Sequence, residues 1–136
     1  MSVGLGKVPG MIFWSLLDVE RAIRDSWGAD TCAPEDVPDW HPGNPARGQC
    51  GTTALVLHDF FGGELMCGPV HRDGEHVDYH WWNRFGDGLE VDLTREQFAP
   101  DELVGEGAQV PRPTGKTRTD AEYELLRRRV RERLGG

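Results

Sequence analysis

Cys50, His80 and Asp92 are the residues of this chain whose types and order suit chemistry: a thiol as nucleophile, an imidazole to take its proton, and a carboxylate to orient the imidazole. Cys50 follows Gly48-Gln49 and opens an apolar run, so its sulfur is expected at the start of a helix. Unsatisfied backbone N–H groups and the positive end of the helix dipole favour a thiolate there. Gly48 would let a substrate backbone come close. The plain alternative is a small, inert, buried cap residue, the usual fate of a free cysteine. His80 stands within Tyr79-His80-Trp81-Trp82-Asn83, and a neutral imidazole near pH 7 is suited to receive a thiol proton. Its plain alternative is a strand histidine that only hydrogen-bonds within the fold.

Whether Asp92 reaches His80 is a question of register. If Gly86-Asp87-Gly88 is a three-residue hairpin loop with Gly88 left-handed, Phe85 pairs with Leu89 and Trp82 with Asp92. Strand alternation then puts Asp92 on the face of Trp82 and His80. A two-residue Asp87-Gly88 turn would instead oppose Asp92 to Asn83 and point His80 to the other face, which makes Asn83 the second candidate for the orienting group. The Gln49 side-chain amide, with the Cys50 backbone N–H, is a candidate oxyanion donor; an ordinary loop hydrogen bond is equally open to it. Trp40, Trp81 and Trp82 are candidate apolar walls for part of a ligand.

Metal chemistry would have to draw on Cys32, His41, Cys50 and His80, or on His71, His76 and His80, and neither set has the compact ligand pairs of a zinc motif. No metal is expected. Gly62-Gly63 and Gly4-x-Gly6 lack the strand and helix context of phosphate-binding loops, so no organic cofactor is expected either. Cys32, after Asp30-Thr31, is expected as a packed loop cysteine, with a place in the cleft as its alternative.

The elements that must position these groups read as α+β. Ser15 with Asp18 predicts an N-cap, and Leu16, Val19, Ile23 and Trp27 then mark a helix over about 16–27. Residues 28–48 hold Pro34, Pro38, Pro42 and Pro45 and are expected to lack regular structure. Cys50 to Phe61 is apolar around most of its circumference and stops at Gly62-Gly63, which predicts a buried central helix. Strands are expected over 64–70, 77–85 and 89–93, forming a small antiparallel sheet. Thr94 to Gln97 predicts a capped helical turn, 100–118 a surface loop, and Thr119 with Glu122 a capping box. A C-terminal helix striped by Tyr123, Leu126, Val130 and Leu134 follows.

With 136 residues and no dividing linker, one domain over 1–136 is expected, with residues 1–14 as a flexible N-terminus. The net charge of −8, from 23 acidic against 15 basic side chains, repels a phosphate backbone and argues against a nucleic-acid partner. The run Arg127-Arg128-Arg129-Val130-Arg131 is flanked by Glu122, Glu124 and Glu132 and reads as a solvated helix face. No apolar run is long enough to span a bilayer, and the first residues lack a signal-peptide core, so no membrane partner and a cytoplasmic location are expected. Three cysteines without close spacing argue against a disulfide scaffold.

Motifs in order carry a resemblance: Asn44-Pro45-Ala46-Arg47-Gly48-Gln49-Cys50, Thr53-Ala54-Leu55, Phe61-Gly62-Gly63-Glu64, His80-Trp81-Trp82-Asn83 and Asp92-Leu93-Thr94. Together they are similar to the bacterial YunG-like family. The order of cysteine on a helix, then histidine and aspartate on neighbouring strands, resembles the papain-like, transglutaminase-like and NlpC/P60-like superfamily. That resemblance implies a papain-like core, with the cysteine helix packed on a small antiparallel sheet between N- and C-terminal helices. The resemblance supplies a fold rather than a reaction; Cys50, His80 and Asp92 themselves point to a hydrolase or acyltransferase working through a thioester on an amide, peptide or ester of a small-molecule or peptide substrate. A binding or regulatory domain on the same scaffold is the alternative, since a fold does not guarantee an activity.

Overall fold

The computed structural model describes residues 5–8 and 12–135. Two short strands, β1 (Leu5–Val8) and β2 (Ile12–Ser15), pair antiparallel. The flexible N-terminus expected over 1–14 falls partly outside the described residues; those described make this pair. Helix α1 (Leu16–Ser26) follows at once because Ser15 closes a full capping box with Asp18. The Ser15 hydroxyl accepts the Asp18 N–H at 3.0 Å, and the Asp18 carboxylate accepts the Ser15 N–H at 3.1 Å.

Central helix α2 (Cys50–Phe61) has the expected bounds and ends at Gly62, whose φ of 68° is the left-handed value that glycine adopts without strain. Strands β3 (Glu64–Arg72), β4 (Glu75–Phe85) and β5 (Leu89–Val91) then form an antiparallel meander. The first two run longer than alternation indicates. Asp73 and Gly74 join them with φ of 52° and 79°, the pair of left-handed residues that a tight hairpin turn needs. Strand β5 stops at Val91, two residues early, because Asp92 turns its carboxylate Oδ1 to the Thr94 N–H at 3.3 Å and bends the chain away.

Two expected loops contain regular structure. Pro34–Asp39 is a short 3-10 helix, whose opening proline has φ already set and lacks only an N–H that the first turn leaves free. Within the stretch expected as surface loop, β6 (Leu103–Val104) and β7 (Ala108–Val110) both pair with the outer edge of β3. The sheet order is β5-β4-β3, with β6 and β7 sharing the far edge. Helix α3 (Asp120–Arg133) starts after Thr119 as expected, but its capping box does not form. The Asp120 carboxylate accepts from the Thr117 hydroxyl at 2.9 Å, and Thr119 makes no side-chain cap.

The core lies where α1, α2 and α3 meet one face of β4. Val19 and Ile23, Val56 and Leu57, Leu126 and Val130, and Phe85 are all buried there. Helices packed on an antiparallel sheet make this an α+β architecture. Among the described residues no helix is long and apolar enough to cross a membrane.

Candidate functional site

The hairpin loop Gly86-Asp87-Gly88 has the three-residue length that joins the pairs Phe85↔Leu89 and Asn83↔Val91. Asp92 therefore comes level with Trp82, two residues from His80 along β4 and on the same face, and the His80 Nε2 and Asp92 Oδ2 atoms meet at 2.7 Å. The carboxylate is shared: Oδ2 also accepts from Arg95 Nε at 2.7 Å. Burial by itself would raise the Asp92 carboxyl, but the hydrogen bond and charge interaction with His80, and then with Arg95, outweigh it and hold it below the ordinary carboxylate range.

A depressed folded-state pKa stabilises the fold above the unfolded carboxylate value of about 4, and that stabilisation disappears as pH falls through the folded value. Asp92→Ala should therefore cost about 1.5–3 kcal/mol near pH 6, the worth of charged hydrogen bonds. The gap from the native chain should narrow steadily below about pH 4. Urea unfolding across that range measures it, and a gap independent of pH would show that the carboxylate charge contributes nothing.

His80 is completely buried. The Trp82 ring stacks on it with centroids 5.5 Å apart, and Phe98 meets it edge-on at 4.8 Å. Its second nitrogen, Nδ1, is buried with no hydrogen-bond partner among the described residues, a costly state for a polar atom. Asn83 points to the opposite face of β4, where its Nδ2 donates to the Ala54 carbonyl at 3.0 Å and ties β4 to α2. The Asn83 side chain is thereby kept away from the His80 ring.

Cys50 is the first residue of α2, and Gln49 before it makes no side-chain cap. The first-turn N–H groups are thus left for another acceptor. Gln49 itself is fully buried and spent on the loop: Nε2 donates to the Gly28 carbonyl at 2.9 Å, and Oε1 accepts from the Thr31 hydroxyl at 2.8 Å. Gly48 adopts φ of 72°, and a side chain there would run into Cys32 Sγ and the Asp36 Cβ.

The Gly48 N–H is held at 3.0 Å by Oε1 of Gln97, which donates through Nε2 to the Thr94 carbonyl at 3.1 Å. Sequence reasoning missed Gln97 in this role, although the Thr94 to Gln97 pattern had marked it as a cap residue. Gln97 fixes the turn before Cys50, and its neighbour Phe98 covers His80.

The Cys50 thiol lies against the backbone N–H of Trp81, the residue after His80. That N–H points away from β3, on the side where β5 pairs with Asn83 to Phe85 before it ends, so the sulfur occupies the vacated edge of β4. No hydrogen bond joins Cys50 to His80. Burial pushes the thiol up to about 12; the Trp81 N–H opposes this, and the Asp78, Asp36 and Asp92 carboxylates add to it.

Cys32 is packed under the loop, where burial and Asp36 push it to about 12, and burial also raises Cys67. All three cysteines are free. Among the described residues no group of three potential ligands is placed to hold a metal ion.

A cavity of about 430 Å³ opens beside Cys50, walled by Gly51, Asp36, Asp78, Trp81 and Pro113. Trp81 lines it, whereas Trp40 and Trp82 do not. The Trp40 indole donates to the Pro45 carbonyl at 3.1 Å within the loop, and that of Trp82 donates to Glu90 at 2.6 Å on the far face.

No solved structure matches the chain. It is 34% identical over 80 residues to the "Uncharacterized protein YunG" of Bacillus subtilis (strain 168), an alignment covering 59% of this chain. The alignment spans 60% of that curated relative's length. The family model described as YunG protein matches residues 15–135, which takes in α1 through α3 and every residue of the site, and the chain belongs to the YunG family.

Proposed function

We propose that this protein is a cysteine-dependent hydrolase or acyltransferase on a papain-like scaffold, acting on an amide, peptide or ester. One observation carries the reading. The His80 imidazole has its Nε2 held by Asp92 and its Nδ1 buried without a partner among the described residues, and the thiol at the uncapped start of α2 lies against the N–H of the next residue, Trp81. In this reading the thiol turns from the Trp81 N–H, gives its proton to His80 Nδ1, and attacks the substrate carbonyl. Asp92 keeps the ring in the tautomer that leaves Nδ1 as acceptor. First-turn N–H groups of α2 face the developing oxyanion. The leaving group takes the proton from Nδ1, and water or an amine then resolves the thioester. Three free thiols fit a reducing compartment such as the cytoplasm.

A second reading, a binding or regulatory domain without turnover, is favoured by the closure of aromatic rings over His80 and by the raised thiol. Alkylation with iodoacetamide at pH 7, followed by mass spectrometry of all three cysteines, separates the two. The enzyme reading expects stoichiometric, selective modification of Cys50. Equal, slow modification of Cys32, Cys50 and Cys67 would favour the binding domain, because burial raises all three thiols and a base would then serve none of them.

A further inference from the structure

Strand β4 is longer than its partner on one side. Strand β5 pairs only with Asn83 to Phe85, and among the described residues nothing pairs with the same edge from Glu75 to Trp82. At two positions the backbone faces outward along this edge. The pair Pro69↔Tyr79 cannot use an N–H from Pro69, in keeping with Tyr79 directing its own groups away from β3. Two residues on, the Trp81 N–H meets the Cys50 sulfur. Val77 is the extra residue of a bulge, since Val70 pairs with Asp78 and His71 with His76. Val77 and Tyr79 are 45% and 57% exposed, apolar side chains on an unpaired edge of the kind proteins normally cover or blunt.

The foot of this edge is the cavity beside Cys50, and its charge is one-sided. Asp78 spends one oxygen on the Tyr79 N–H at 2.7 Å and has no ion pair among the described residues. Across the cleft, Asp36 has, among the described residues, only Arg47 Nε at 3.8 Å as an ion-pair partner, and Arg47 is committed to Glu102 at 3.1 and 3.3 Å. The remaining cavity carboxylate, Glu35, is paired with Arg118.

We propose that the open edge of β4 binds an extended peptide segment as an added strand, with a lysine or arginine side chain of that segment lodged between Asp36 and Asp78. With the Tyr79 and Trp81 N–H groups held by Asp78 and Cys50, peptide N–H groups donating to the outward carbonyls of the edge supply the affinity, and the two carboxylates select the charge. The acidic surface draws such a segment in. Cys50, already against the Trp81 N–H, stands in the path of the added strand, so the strand runs up to the sulfur. Delivery of a peptide carbonyl to that sulfur rests on the thiol chemistry proposed above; the docking does not. A cation between Asp36 and Asp78 would also relieve the carboxylates that raise the Cys50 thiol, coupling occupancy of the cleft to activation of the nucleophile.

The test uses the full chain carrying Cys50→Ala, which binds without turnover. It is titrated with fluorescein-labelled, end-capped octapeptide pools in which one central position is fixed as lysine or as glutamate, read by anisotropy. The lysine pool should bind about tenfold tighter than the glutamate pool, and Asp78→Lys should bring that ratio to about one. N-methylation of alternate backbone amides should weaken the lysine pool about tenfold, because it removes the strand hydrogen bonds. Equal binding of the two pools, no effect of N-methylation, or no binding at all overturns the proposal. Binding by Cys50→Ala alongside an unreactive thiol in the native chain would overturn the enzyme reading and leave this one standing. A reactive thiol with no peptide binding would do the reverse.

Discussion

Replacing His80 by glutamine is expected to slow alkylation of Cys50 by about a hundredfold at pH 7, the lower end of what a positioned general base contributes. Burial pushes the Cys50 thiol up to about 12, so little of it is ionised at that pH and a spontaneously formed thiolate is disfavoured. Fast reaction requires the proton to leave with the electrophile's approach, and the acceptor in the proposed mechanism is His80 Nδ1, buried without a partner among the described residues. Glutamine keeps much of the imidazole volume and an amide N–H for Asp92, so Trp82 and Phe98 still have a side chain to pack on. The rate at Cys67, which shares the cavity wall but has no such base, is the internal control. An unchanged Cys50 rate in His80→Gln would remove the general base from the proposed mechanism.

Phe85→Ala is expected to cost about 3–5 kcal/mol, a large share of the 5–15 kcal/mol that a domain of ordinary stability has. Phe85 is 1% exposed and meets Phe61 edge-on at 5.9 Å. Gly63 lies against its ring so closely that a Cβ at Gly63 would come within 2.7 Å of it. With so many fixed neighbours the site cannot collapse around alanine, and the cost includes a cavity as well as lost transfer free energy. Phe85→Leu, which refills most of the space, should cost less than about half as much. Urea unfolding of the three proteins measures the series. A loss below about 1 kcal/mol for the alanine variant would mean that this ring is not part of the cooperative core. The result bears on the site as well, because Phe85 closes the β4–β5 hairpin whose register brings Asp92 to His80.

That register is the clearest case of a site feature legible in the chain. The two-residue period of a strand is a local property, and with a three-residue Gly86-Asp87-Gly88 loop it places Asp92 beside His80; the structure chooses that loop over the two-residue Asp87-Gly88 turn that the sequence equally allows. The bounds of α2 are legible for the same kind of reason, an apolar run closed by a glycine able to turn left-handed. The Asp73-Gly74 pair suits a tight turn on residue type alone, and that turn carries β3 and β4 past the alternating stretch to Arg72 and Glu75.

Other features were decided by partners far away in the chain. Strands β6 and β7 have two and three residues, too few to show a period, and exist because β3 has a free edge to offer them. Residue type says that Gln49 can donate to an oxyanion, but Gly28 and Thr31 take its amide, and Gln97 reaches Gly48 from 49 residues further on to hold the turn before Cys50. Of the two adjacent tryptophans, alternation says only that they part; the packing of α2 on one face of β4 sends Trp81 to the cavity and Trp82 to the other side. Backbone period, loop length and caps depend on a few neighbouring residues, so sequence order alone specifies them. The partner of a buried amide, the wall of a cavity and the position of the thiol at the edge of β4 depend on competition among groups that only the folded chain brings together.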